Sequence, residues 1–201
     1  MANRKRGSDE IRDMDIIDMI LIDHRFAKEA IEVFKDENAS KDEKLAYARN
    51  FLDAVHKHSV AEQEIVYSQL EPAEEFHFNI LEAQIEHGIV EDKIRSLKQR
   101  VSRLKTLSDE VEAELKVLAE LVEHHIKEEE SELLPKMSQE IDAITLKEMG
   151  QAFMELRKMG AKELRDYPHL EDELISWKDS VQKISSQFLS KMDKYVENLK
   201  H

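Results

Sequence analysis

The sequence predicts an all-α fold: an up-down-up-down four-helix bundle with two additional C-terminal helices. Three observations carry that expectation. Gly and Pro are scarce, 4 and 3 in 201 residues, which leaves few turn signals for a many-stranded fold. Apolar residues recur in steps of three and four along four long segments, the spacing that keeps side chains on one helix face. Short polar breaks separate those segments, and short connections favour antiparallel neighbours.

The first segment runs from about Asp9 to Asp36 with Met14, Ile17, Leu21, Ile31 and Phe34 on one side. Ser40 and Glu43 have capping-box spacing and open the second, which carries Leu45, Leu52, Val55 and Ile65 to a stop near Glu71 and Pro72. The third holds Ile80, Val90, Ile94, Leu97 and Val101. Ser108 is the expected N-cap of the fourth, which carries Val111, Leu115, Leu118 and Val122 and reaches Pro135. Thr145 with Glu148 predicts a fifth start and Gly160 its stop. Beyond Pro168 an amphipathic tail runs from Trp177 through Phe188 to Leu199. Residues 9–140 are therefore expected to form the bundle and 141–201 an extension packed on it. A homodimer contact is the lesser expectation for the tail.

Composition narrows the function. The formal charge of −14 disfavours nucleic acid and anionic membranes, so neither is an expected partner. Cysteine is absent, which excludes disulfides, thiolate chemistry and iron–sulfur clusters, so any metal must use His and carboxylates. The basic start at Met1–Gly7 is followed by no apolar run, and no stretch approaches the ~18 residues needed to span a bilayer. A cytoplasmic location is expected.

The histidines are placed on the core stripes. The stripe of the first segment reads Ile17, Leu21, His24, Lys28, Ile31. The second reads Leu52, Val55, His58, Glu62, Ile65, Gln69, and the third Ile80, Gln84, His87, Val90, Ile94. The fourth reads Val111, Leu115, Leu118, Val122, His125, Glu129. Each segment thus turns one His inward, and two add a Glu one turn later. A carboxylate buried without a partner costs several kcal/mol, so the set calls for a compensating cation. Neutral imidazole and carboxylate suit Fe, Mn and Zn. Around Pro72, His58 and His87 lie about 14 and 15 residues out. Around Leu107, His87 and His125 lie about 20 and 18 out, offsets of a few Å at ~1.5 Å per residue. Around Asn38, His24 and His58 lie about 14 and 20 out, a ~9 Å offset that the sequence does not remove.

The other histidines fall off these stripes. His56 and His124 read as flanking or surface residues, although His124 and Glu128 repeat the His125 and Glu129 spacing and remain the alternative pair. His77 is ~15 Å along the axis from His87, and His169 and His201 lie outside the bundle. Glu128, Glu130 and Glu132 read as a solvated acidic face. Glu86 reads as a surface residue, with a hydrogen bond to a ligand imidazole as its alternative.

Four ordered stretches, Ile22-Asp23-His24, His58-x-x-x-Glu62 leading to Val66 and Tyr67, Glu86-His87, and His125-x-x-x-Glu129 running on to Leu133-Leu134-Pro135, resemble the hemerythrin-like family, the HHE cation-binding domain, over roughly residues 14–137. The resemblance implies an oxo- or hydroxo-bridged di-iron centre. Glu62 and Glu129 would be its bridging carboxylates and His24, His58, His87 and His125 its terminal ligands. It also implies binding of O₂ or related small molecules. The chain departs from the blood-type oxygen carriers in two respects. The third segment has no second His one turn from His87, where Ala83, Gln84 and Glu91 stand. The fourth carboxylate follows its His by four residues, where the carriers have five. Six ligands leave open positions that suit exchangeable water, peroxide or NO.

The leading expectation is therefore a di-iron protein that binds or senses O₂, peroxide or NO, with Mn or Zn as alternative metals and with a protein partner not identified by the sequence. A di-metal oxidase or peroxidase is the second, in which Tyr67 would donate a hydrogen bond or an electron beside the cofactor. The ferritin-like version of that enzyme uses Glu-x-x-His pairs, and the chain offers only Glu74-x-x-His77, away from the site. A metal-free structural bundle is the third.

Overall fold

The computed structural model describes residues 14–157, and among these all regular structure is helical. Helix α1 (Ile16–Lys35) starts at a capping box: the Asp15 carboxylate accepts from the backbone N–H groups of Ile17 and Asp18, and Asp18 accepts from that of Asp15. The extended backbone of Asp15 corrects the start expected near Asp9. Helix α2 (Lys41–Glu62) opens at Ser40, whose hydroxyl accepts from Glu43 N–H as expected. It continues through a π turn (Gln63–Tyr67) into Ser68–Leu70. Helix α3 spans His77–Val101. Helix α4 (Asp109–Glu128), capped by Ser108, passes through a second π turn (Glu129–Leu133) into Leu134–Glu140. Pro135 does not end α4. It falls in the first turn after the π turn, where a missing N–H is tolerated.

Helix α5 covers Ala143–Arg157. Its cap is Asp142, which accepts from the backbone of Ile144 and Thr145 and from the Thr145 hydroxyl, so Thr145 is inside the helix and not its cap. Gly160, Pro168 and the tail from Trp177 to Leu199 lie outside the described residues.

Helix α1 packs on α2 and α4, α3 packs on α2 and α4, and α5 lies on α1 and α2. Residue numbers run in opposite senses across neighbouring helices. Lys28 meets Glu130 while Lys35 meets Glu123, and Asp53 meets Lys98 while His56 meets Glu91. Between α3 and α4, Asn79 meets Glu132 while Arg100 meets Glu114. The ~9 Å offset expected between His24 and His58 disappears because α2 overhangs the end of α1. Phe34, one residue from the end of α1, stacks edge-on with Phe51, ten residues into α2, at 5.2 Å.

Two apolar clusters fill the interior. One gathers Ile16, Ile20, Tyr67, Ile80, Leu133 and Phe153. The other gathers Phe34, Phe51, Leu52, Ile94, Leu97 and Leu115. On α1 the clusters meet between Ile20 and Ala27, on α3 between Ala83 and Val90, and on α4 between Ile126 and Leu133. His24, His87 and Glu129 lie in those intervals, His58 lies between Val55 and Ala61 on α2, and Glu62 and His125 stand one residue outside them. Leu21 is 37% exposed, which corrects the α1 stripe: Ile16, Ile20, Ala27 and Ile31 form the buried side, with His24 among them.

Candidate metal centre

The six residues expected to meet do so. His24, His58, Glu62, His87, His125 and Glu129 are all buried. Their donor atoms fall into two groups, each with its members within 4.8 Å of one another: His24, His58, Glu62 and Glu129, and Glu62, His87 and His125. Glu62 belongs to both. Each imidazole Nε2 approaches a carboxylate Oε2. His58 lies 3.0 Å and His87 3.5 Å from Glu62, and His24 lies 3.2 Å and His125 3.3 Å from Glu129. His87 Nε2 and His125 Nε2 are 3.0 Å apart.

The directions of these atoms say more than the distances. His24 Nε2, His58 Nε2, Glu62 Oε1 and Glu129 Oε2 make no hydrogen bond, although each is buried within a polar cluster. Each such orphan costs ~1–3 kcal/mol. These atoms stand within 4.8 Å of one another, and a donor set of imidazoles and carboxylates fits a multivalent cation.

The outward ring nitrogens of three histidines are fixed by carboxylates, which sets tautomer and orientation. Asp23 Oδ2 lies 3.2 Å from His58 Nδ1, Glu86 Oε2 2.8 Å from His125 Nδ1, and Glu130 Oε1 3.1 Å from His24 Nδ1. Glu86 is thus the partner of a ligand imidazole, the alternative to its reading as a surface residue. Glu130 is not part of a solvated face either, because it holds His24 and also Lys28. Asp23 is itself paired with Arg157 of α5 at 2.7 Å, and both are buried. Phe153, one turn earlier on α5, sets its ring against His58 at 6.0 Å. Asp23 stood in the sequence only as the neighbour of His24 in the Ile22-Asp23-His24 stretch, and Arg157 carried no signal, since neither lies on an expected stripe.

The two π turns begin where the acids stand, directly after Glu62 and at Glu129. In an unbroken α-helix a step of five residues rotates a side chain about 140° off the starting face. The π turn brings Tyr67 back to the Glu62 side. Its phenol, fully buried, donates to Glu129 Oε1 at 2.7 Å and lies 3.4 Å from Glu62 Oε2 and 3.3 Å from His87 Nε2.

Electrostatics express the same crowding. Burial opposes charge on His58, but Glu62 and Asp23 outweigh it and push the imidazole up to about 10. Burial, reinforced by His125, drives His87 down to about 3. Burial would raise Glu129, yet His125 and His24 hold it well below the usual carboxylate range. Burial and the two glutamates push the Tyr67 phenol up, so it stays a donor.

The remaining histidines are elsewhere. His124 is 60% exposed and His125 6%, by side chain, so helix α4 turns His125 inward. His56 pairs with Glu91 near the surface, and His77 is exposed. A cavity of ≈ 20 Å³ adjoins the four inward rings and is otherwise walled largely by Ala27, Val55, Val90, Val122 and Ile126. It has room for about one water-sized molecule. Among the described residues no helix is long and apolar enough to cross a membrane.

The family model described as hemerythrin HHE cation binding domain matches residues 15–137. No curated protein and no solved structure matches the chain.

Proposed function

Because the chain belongs to the hemerythrin HHE cation-binding domain family, we propose that it is a non-haem di-iron protein that binds or senses O₂, peroxide or NO at a His/Glu site inside a helical bundle. The observation that carries the reading is the sharing of Glu62 between two groups of buried donors. One ion would take His24, His58, Glu62 and Glu129, and the second His87, His125 and Glu62. Mn and Zn are the alternatives for the same donors. Bound iron would supply open coordination positions and electron exchange for a small oxidant or NO.

The chain's own residues set the conditions. Asp23, Glu86 and Glu130 fix three rings. Tyr67 holds Glu129 through a neutral phenol. The small apolar cavity beside the rings admits a diatomic-sized neutral molecule and leaves no space for an organic substrate.

The opposite numbering across neighbouring helices supports an up-down-up-down arrangement of α1 to α4, with the bundle ending near residue 140 and the extension beginning with α5. The acidic, cysteine-free composition supports a cytoplasmic location and argues against nucleic acid and membrane partners. A homodimer through the segment beyond α5 belongs to the same reading.

The test is optical. Iron-loaded protein oxidised to the ferric state should be yellow to brown, with a charge-transfer band that shifts on adding azide. An iron-loaded sample that stays colourless after oxidation to the ferric state would refute the reading. The oxidase or peroxidase alternative draws on Tyr67, within hydrogen-bond reach of both Glu129 and His87. Steady peroxide turnover with a reductant, lost in Tyr67→Phe and in Glu62→Ala, would establish it.

A further inference from the structure

His124 and Glu128 repeat the i, i+4 spacing of His125 and Glu129 one residue out of phase, which puts them on the adjoining outer face of α4. Glu86 of α3 meets them there. His124 Nε2 is 3.3 Å from Glu128 Oε1 and 3.8 Å from Glu86 Oε1, and the three donor atoms lie within 4.8 Å of one another. These are separations that ligands about 2.0–2.2 Å from one ion can adopt with small side-chain movements.

Two carboxylates and an imidazole near a surface would by themselves mean little. Here a second observation joins them to the interior. A narrow groove between α3 and α4 has Glu82, Glu86, Glu128 and Glu132 along its length and reaches His125 and Glu129. Glu129 is 3% exposed, and its Oε2 has no hydrogen-bond partner. Glu86 spans the two levels: one oxygen faces His124 outside, and the other accepts from His125 Nδ1 inside at 2.8 Å.

We propose that Glu86, His124 and Glu128 form a surface site for a first-row divalent cation, from which ions pass along this groove to the buried donors. The second half of the statement rests on the buried-centre reading above. A hydrated dication cannot cross an apolar helix interface, because its water must be exchanged stepwise for other oxygen or nitrogen donors. The groove offers such donors in sequence, and its acidic walls concentrate cations at its mouth. The cavity on the side of the second apolar cluster offers few polar atoms and suits neutral ligands. Cations and small neutral molecules would therefore reach the centre from different sides.

The experiment is calorimetric titration with Zn²⁺ on the metal-free full chain, paired with stopped-flow uptake. Wild type should take two ions tightly and a third more weakly. His124→Ala and Glu128→Gln should lose the third, keep the two, and fill them about tenfold more slowly. His124 is exposed, so neither folding nor the buried set should be disturbed. A third ion retained in both variants overturns the site. Unchanged uptake rates overturn the loading role. The chain carrying both His58→Ala and Glu62→Ala should still bind one weak ion. A wild type that binds a single ion, lost in His124→Ala, would uphold the surface site while refuting the buried centre.

Discussion

Replacing Arg157 by Met isolates one buried charge. Arg157 and Asp23 are 7% and 6% exposed and meet at 2.7 Å, and the other oxygen of Asp23 holds His58. Met keeps much of the apolar volume and removes the cation. Asp23 is then a carboxylate shut away from water with its principal counter-charge gone. Breaking a buried pair on one side costs ~3–5 kcal/mol, a large fraction of the ~5–15 kcal/mol that holds a domain together. At ~2–4 °C per kcal/mol for a chain of this size, the melting temperature should fall by about 10 °C. The assay is urea unfolding of the chelated, metal-free protein, so that metal affinity does not enter. Asp23→Asn in the Arg157→Met background should recover part of the loss, because the stranded charge is gone. A loss under about 1 kcal/mol, or a double variant whose loss equals the sum of the singles, would show that the pair is solvated and uncoupled.

Gly150→Ala should unseat α5, since an added Cβ would stand 2.6 Å from Asp15 C and 2.7 Å from Ile16 N, both backbone. A destabilisation of ~1–3 kcal/mol is expected in the same unfolding assay. The metal-free protein should be most stable near pH 6.5. His87, held down to about 3, is neutral in the folded state while the unfolded chain takes up the proton, so stability falls as pH drops from 6.5 toward 3. His58, pushed up to about 10, gives stability that is complete below 6.5 and lost as pH rises through 10. Melting curves across that range check both limbs, each with a slope of up to about 1.4 kcal/mol per pH unit per group. His58→Ala and His125→Ala should each lower iron stoichiometry and, in the loaded protein, the melting temperature; His124→Ala should leave both unchanged in protein desalted after loading.

The ligand set was legible because a buried His or Glu at steps of three and four stands out against an apolar stripe. The caps at Ser40 and Ser108 were legible because they are local, formed with residues three positions on. What the sequence hid depends on partners remote in the chain or on backbone changes without a compositional mark. Glu130 acquires meaning only from the ring it faces, and Asp23 and Glu86, visible in the sequence beside His24 and His87, face the rings of His58 and His125 instead. Arg157 acts on a residue 134 positions earlier. The π turns insert a residue without Pro or Gly and shift the face that follows. Gln69, expected on the buried stripe, is therefore half-buried, and Leu70 is buried in its place. On α1 the buried side passes through Ile16 and Ile20 and leaves Leu21 out because α5, remote in the chain, covers that side.

Two ions shared by one carboxylate is the central claim, and counting metal is its most direct measurement. Chain loaded with iron, desalted and analysed for metal against protein should hold two ions per chain, and Glu62→Ala should hold one or none. Fewer than one ion per wild-type chain, or two retained after Glu62→Ala, would contradict it.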